Sequence, residues 1–249
     1  MYHSITFWTS GSSVNLIGNT YDDFCLVPET IPVIAPPTTK RQTVDIPGGN
    51  GVLDFTESLT KYPVYNERQG SVTFHVLNDR TRLGDIAWSD LYSRILNKIQ
   101  GRFILATLDD VPDWFYRGRW DVSEWAPSNS GEWPRISFNY NLEPYKLSSQ
   151  KKTLTYSLTS TSSLTKLATL VVNDIGEGPV VMPTITTTSG DTTIKIVDTY
   201  TGYSYERTFT NAGTYNDPAI VLYDVSRRGI HLYGKGSGTV TFKFNERSL

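Results

Sequence analysis

Residues 44–77 read VDIPGGNGVLDFTESLTKYPVYNERQGSVTFHVL, and this stretch decides the fold class. Two short segments, residues 44–47 and 52–55, flank the sequence Gly-Gly-Asn-Gly. An Asn-Gly pair suits a type I′ hairpin turn, because that turn needs a positive φ at both central residues. The stretch therefore predicts an antiparallel β-hairpin in which Gly51 has a positive φ.

Outside this hairpin, the first part of the chain has the pattern of a β protein with one helix. Strict alternation of apolar and polar residues predicts half-buried strands. A helix is predicted over residues 89–100, with Ser89 as its N-cap and Gly101 at its end. The abundance of Tyr and Thr also favours strands. The strands predicted in this part cover residues 5–8, 24–27, 72–76, 103–108, 114–122 and 136–142.

Residues 28–43 contain four prolines and no helical pattern. Proline fixes φ and removes a backbone donor, so this segment is expected to be an extended arm. It carries Ile31, Val33 and Ile34, which an extended arm has to bury either against its own domain or against a neighbour.

The composition changes at residues 148–165, which are almost wholly Ser, Thr and Lys with spaced Leu and Tyr. This change predicts a boundary between a domain at 1–147 and a domain at 148–249. Residues 166–249 contain seven candidate strands separated by turn signals, which predicts a β-sandwich or jelly roll.

The composition of the 249 residues excludes several function classes. A formal net charge of −2 argues against a polyanion-binding protein, and no run of eighteen apolar residues predicts a membrane span. The N-terminus lacks a signal-peptide pattern, and a single cysteine, Cys25, cannot form an intrachain disulfide framework. These features predict a chain that folds in a reducing cytoplasm.

No constellation of residues points to catalysis, so the sequence predicts no catalytic, cofactor-binding or metal-binding residues. The three histidines are scattered and no nucleophile motif, phosphate-binding loop or zinc spacing is present. An acidic cluster could bind a divalent cation, but its spacing matches no calcium loop and a solvated turn is the better interpretation. The cluster comprises Asp109, Asp110, Asp113, Asp121 and Glu124.

Aromatic and arginine residues interleave between positions 114 and 135. This composition is typical of single-strand nucleic-acid platforms and also of protein interfaces. The acidic residues among them favour core and interface packing over nucleic acid. The residues are Trp114, Phe115, Tyr116, Arg117, Arg119, Trp120, Trp125, Trp133 and Arg135.

The opening stretch also resembles the distal tail proteins (Dit family) of siphovirus-like phages. These carry a hydrophobic-x-IPG-x-(D/N)-G-x-LD-(F/L)-TE pattern, followed by spaced Tyr, Asn and Arg and then a strand. The resemblance is strong over the first domain and loose over the second. The matching residues here are Ile46, Pro47, Gly48, Asn50, Gly51, Leu53, Asp54, Thr56, Glu57, Tyr65, Asn66 and Arg68.

The resemblance implies a mainly β fold, with an N-terminal β-sandwich that has one α-helix and an extended arm, and a C-terminal galectin-like β-sandwich. It implies a non-enzymatic homohexameric ring, the hub at the phage tail tip. The ring would join the tail tube protein to a tail-associated lysin or tip protein and to receptor-binding proteins. DNA would pass through its lumen without sequence-specific binding, and no membrane insertion is expected. In such a ring, Ile31, Val33 and Ile34 are predicted to contact the neighbouring subunit.

Two other functions remain open at this point. One is a carbohydrate-binding adhesion module that acts through the second domain. Galectins stack sugars on a tryptophan, however, and residues 166–249 contain no tryptophan. The other is a tail-tube protein, which would stack into long tubes instead of forming single rings.

Overall fold

A computed structural model describes residues 2–11, 13–58, 60–77, 88–126 and 134–249. The polar segment expected at 78–86, the loop expected at 128–131 and Trp133 lie outside these residues. The fold is mainly β, with a sandwich that includes one helix and an extended arm, followed by a second sandwich. The predicted fold class is therefore confirmed.

The chain forms two compact units. The first comprises Met1–Lys40 and Tyr65–Ser149, and the second comprises Arg41–Val64 and Gln150–Leu249. The sequence placed residues 41–64 in the first domain, whereas their contacts group them with the second unit. The division of roles between a ring-forming and a galectin-like domain stays a prediction.

The strands of the first unit are β1 (Ile5–Thr9), β2 (Leu16–Asn19), β3 (Leu26–Pro28), β6 (Arg68–Val76), β7 (Arg102–Leu108), β8 (Val111–Ala126) and β9 (Arg135–Leu142). Strand β10 (Lys146–Leu158) begins in the first unit, where Leu147 pairs with Phe115, and continues into the second. The remaining strands of the second unit are β4 (Thr43–Asp45), β5 (Val52–Asp54), β11 (Thr165–Leu170), β12 (Val180–Val181), β13 (Thr184–Thr187), β14 (Thr192–Val197), β15 (Ser204–Phe209), β16 (Gly213–Asn216), β17 (Val221–Leu222), β18 (Ile230–Lys235) and β19 (Gly238–Ser248).

In the first unit, antiparallel strands pair in the order β2-β1-β7-β8-β9-β6-β3. Phe7 on β1 and Phe138 on β9 have ring centroids only 6.2 Å apart, although two strands lie between them in the sheet. Neighbouring strands are about 4.8 Å apart, so a flat sheet would hold these rings more than twice as far apart. The sheet therefore folds over its own core, where Trp120 is fully buried.

Helix α1 (Trp88–Ile99) covers this core and lies within one residue of its predicted bounds, so Ser89, which was predicted as its N-cap, lies inside the helix. Leu91, Ile95 and Ile99 are buried because their spacing places them on one face. Gly101 has φ +66° and ends the helix, as predicted.

The second unit consists mainly of two sheets, with the strand orders β16-β13-β19-β10 and β11-β18-β14-β15. Strands β16, β13 and β19 of the first sheet and all four strands of the second pair antiparallel. Alternate residues of both sheets fill one core, with Ile185 and Phe242 from the first sheet and Ile194 and Leu232 from the second. A one-turn helix, α2 (Val172–Ile175), and strand β16 were not predicted. Strand β16 reads GTYN, and its glycine and asparagine are turn formers, so pairing with β13 decides its conformation.

Candidate assembly surface

The hairpin of β4 and β5 exposes its apolar side chains on both faces. The two strands pair antiparallel, with Val44 opposite Leu53. A two-stranded hairpin is at best marginally stable alone, and exposed clusters of apolar residues mark interaction surfaces. We call the exposed side chains, which are 37–52% accessible, the hairpin patch; they are Val44, Ile46, Val52, Leu53 and Phe55.

The hairpin loop differs from the type I′ turn expected from the sequence. Six residues separate Asp45 from Val52, and Asn50 does not have a positive φ. Gly48 and Gly51 instead have φ +73° and +95°. The positive φ predicted for Gly51 is confirmed, whereas the type I′ turn is wrong, because Asn50 lacks a positive φ and Gly48 supplies the other left-handed position.

The base of the hairpin is closed by the Asp-Phe-Thr part of the motif. Asp54 Oδ1 accepts a hydrogen bond of 2.8 Å from the Thr56 backbone, and Thr56 Oγ1 accepts one of 3.1 Å from the Gln42 backbone. The Phe55 amide donates to the Gln42 carbonyl at 2.8 Å. Hydrogen bonds from the side chain and backbone of Thr56 hold the pKa of Asp54 below its ordinary value. These motif residues therefore fix the local backbone.

Arg68, the last motif residue, anchors the extended arm. Its side chain is inside the first unit, where Nε donates to the Pro144 carbonyl at 2.8 Å and Nη1 donates to the Ala35 carbonyl at 3.1 Å. The guanidinium also lies over the ring of Tyr116, with Cζ 5.8 Å from the centroid. Burial lowers the pKa of Arg68, although an arginine still stays charged at neutral pH.

The other spaced motif residues hold the end of the same arm. The Asn66 amide donates to the Thr38 carbonyl at 2.7 Å, and its side chain donates to Thr38 Oγ1 at 3.0 Å. Tyr65 forms a β-bridge with Thr39 and packs edge-on against Tyr145. The Tyr-Asn-x-Arg part of the motif thus binds the arm between Ala35 and Thr39.

The three arm residues predicted to form an interface lie in different environments. Ile31 and Val33 are 57% and 73% exposed, but Ile34 is only 7% exposed and packs in the core of the first unit. The exposed part of the predicted set is therefore Ile31 and Val33. Ile34 is corrected to a core residue, because the arm lies along β6 and turns this side chain inward.

Sequence reasoning missed the residue that fixes the middle of the arm. Tyr140 Oη accepts a hydrogen bond of 2.9 Å from the Ala35 amide, next to the carbonyl that Arg68 binds. Tyr140 lies on β9, 105 residues away in sequence. Its alternating position showed that it faces inward, but no local pattern indicates a partner at that distance.

The acidic residues near β8 organise the N-terminal segment. Asp109 accepts hydrogen bonds from the backbone and hydroxyl of Ser4, at 2.8 and 2.7 Å. Asp110 lies 2.8 Å from His3 Nδ1. Within residues 2–11, 13–58, 60–77, 88–126 and 134–249, no three His, Cys, Asp or Glu side chains gather as metal ligands would.

The fold defines a class of protein with two mainly β units, an arm that crosses the first unit and an exposed hairpin. Over 99% of both chains, with a TM-score of 0.57 and 18% identity, it is similar to the crystal structure of the SPP1 Dit (gp 19.1) protein, described as a paradigm of the hub adsorption apparatus in Gram-positive infecting phages. The chain thus has the fold of a distal tail protein, in agreement with the resemblance seen in its sequence.

Comparisons with protein-family models and with curated proteins gave no match. Among the residues that the structure describes, no helix has the length and apolar character needed to cross a membrane.

Proposed function

We propose that this chain is a structural, non-enzymatic hub protein of a phage tail, and that six copies form a ring at the tail tip. The observation that carries the proposal is the similarity to the SPP1 Dit hub protein over 99% of both chains. A match to one unit alone would support only a shared β-sandwich. Here the similarity extends over both units and over the arm.

The exposed surfaces of the chain suit assembly into a ring. A ring uses a head-to-tail interface, in which one surface of a subunit meets a different surface of its neighbour. The first candidate surface is the exposed pair Ile31 and Val33 on the arm, and the second is the hairpin patch. Apolar side chains that stay exposed in an isolated subunit can be buried in such an interface, and their burial would stabilise the ring.

In this role the ring would join the tail tube protein to a tail-associated lysin or tip protein, and would hold receptor-binding proteins. The protein would be made in the host cytoplasm and would then become part of the virion. DNA would pass through the lumen without sequence-specific contacts, since the net charge of the chain is only −2. The second unit, by resemblance galectin-like, would serve as a docking module.

The mass of the purified protein tests the proposal. Six times 28.0 kDa is about 168 kDa, and light scattering during gel filtration should report this mass or twice this value if two rings pair. Negative-stain images should show closed rings with sixfold symmetry. Long stacked tubes would favour a tail-tube protein instead. A protein that stays monomeric at high concentration and binds glycans would favour the adhesion module.

A further inference from the structure

A pocket of about 350 Å³ opens in the second unit, and no part of the proposed ring uses it. Three tyrosines, Tyr62, Tyr203 and Tyr223, line it together with aliphatic side chains. Tyr62 packs edge-on against Tyr223, with ring centroids 5.0 Å apart. The aliphatic part of the wall comes from Ile196, Val221, Val225 and Ile230.

Asp198 is the one charged side chain among the described residues that line this pocket. It is only 7% exposed. Its Oδ1 accepts hydrogen bonds from the backbone amides of Tyr200 and Thr201, at 2.9 and 3.3 Å. Its other oxygen, Oδ2, receives no hydrogen bond from the part of the chain that the structure describes. Because Oδ2 keeps some solvent access, a ligand ammonium that reaches it through the pocket can form a charge-assisted hydrogen bond there.

The lining selects the chemistry of that ligand. Aromatic faces attract cations, and a carboxylate in a largely apolar site attracts them more strongly. The aliphatic wall suits a chain of methylene groups. Both features together fit an amine at the end of an apolar stem. The planar fork of an arginine prefers two carboxylate oxygens, whereas the compact ammonium of a lysine can be satisfied by the one oxygen that is open here.

We propose that this pocket binds a lysine side chain of a partner protein. The methylene stem packs between the tyrosine rings and the aliphatic wall, and the ammonium donates a hydrogen bond to Asp198 Oδ2. Charge complementarity argues for this occupant, because no basic side chain lines the pocket among the described residues. The inference goes beyond the hub proposal and stands whether or not the protein assembles into rings.

Saturation-transfer NMR on the full-length protein tests the pocket with two capped tripeptides, Gly-Lys-Gly and Gly-norleucine-Gly. Norleucine keeps the apolar stem and lacks the charge. We expect transfer to the lysine methylene protons and affinity about tenfold higher than for the norleucine peptide. The Asp198→Asn variant keeps an oxygen that can accept the turn hydrogen bonds, and it should bind the lysine peptide about tenfold more weakly. Asp191→Asn, the same change at an exposed turn outside the pocket, should bind like the parent protein.

Equal affinity for the two peptides on the parent protein would overturn the proposal, and this comparison does not depend on how any variant folds. Unchanged lysine affinity in a folded Asp198→Asn variant would also overturn it. A capped arginine tripeptide that binds more tightly than lysine would contradict the argument from the single open oxygen. Binding of neutral galactose in place of the lysine peptide would assign the pocket to a glycan.

Discussion

Arg68 holds the arm with one buried guanidinium that donates hydrogen bonds to the carbonyls of Ala35 and Pro144. A hydrogen bond from a charged donor contributes about 1.5–3 kcal/mol, more than a neutral one. The two carbonyls lie on segments far apart in sequence. A planar fork can reach both at once, which a lysine ammonium cannot do from the same position.

We therefore expect Arg68→Lys to lower the free energy of unfolding by about 2 kcal/mol, measured by urea denaturation. Arg119→Lys is the matched control, because Arg119 is exposed and donates a single bond to the Gly101 carbonyl. It should change stability by less than about 0.5 kcal/mol. Equal effects of the two substitutions would show that Arg68 does not anchor the arm.

Gly51 affects stability through its backbone conformation alone. Its φ is +95°, and a Cβ built there would meet no atom within 4 Å. Gly51→Val should therefore strain the hairpin loop by about 1–2 kcal/mol without a steric clash. Hydrogen exchange of the amides in β4 and β5 should become about tenfold or more faster.

Ser162→Val is the control for this change, since Ser162 is exposed and forms no interaction among the described residues. The exchange of the hairpin amides should be the same in Ser162→Val as in the parent protein. If Gly51→Val also leaves their exchange unchanged, the left-handed conformation at Gly51 does not determine the stability of the hairpin.

At the scale of elements, the arm has one inward and two outward apolar side chains. Ile34 packs in the core of the first unit, whereas Ile31 and Val33 face outward. The amide of Glu29 donates to the Thr73 carbonyl at 3.0 Å, and Ala35 is fixed by Tyr140 and Arg68. The exposed pair is thus held between two fixed points and is available to a neighbouring subunit.

The double variant Ile31→Asp with Val33→Asp should keep the melting temperature of the subunit and abolish the ring. Two charges in an apolar interface would be desolvated without partners, which costs several kcal/mol. Ile34→Asp should instead unfold the first unit, because it buries a charge in the core. Circular dichroism and light scattering distinguish these outcomes. Rings that persist in the double variant would assign ring closure to another surface, first of all the hairpin patch.

At the scale of the whole molecule, the chain leaves the first unit after Lys40 and returns at Tyr65. Thr39 and Tyr65 are bridged, so the two ends of this excursion are close in space. Deleting residues 148–249 alone would leave residues 41–64 without the unit that they contact. A better truncation also replaces these residues.

We expect a chain of residues 1–40, a short Gly-Ser linker and residues 65–149 to fold on its own, because the core of the first unit is complete within these ranges. It should show one cooperative thermal transition. If the arm closes the ring, light scattering should also report a smaller hexamer. A folded monomer would show that ring closure needs the second unit or the hairpin.

The sequence by itself determined the features that depend on local pattern. Alternating residues predicted most strands, apolar spacing and Gly101 predicted α1, and the glycines of residues 48–51 predicted a turn with Gly51 at positive φ. The motif around Ile46–Arg68 indicated the Dit-like fold. These features can be predicted from the sequence because hydrophobic periodicity and the allowed backbone angles depend on residues that are close in sequence.

Only the tertiary structure decided which distant residues meet. It moved Ile34 from the predicted interface into the core, joined Tyr140 to Ala35 and grouped residues 41–64 with the second unit. It also brought Asp198 together with Tyr62, which lies 136 positions earlier in the chain. Neither residue has an unusual neighbourhood in sequence. The physical reason is that burial and long-range hydrogen bonds depend on strand pairing and packing. The local sequence pattern limits which strands can pair but does not specify which of them do.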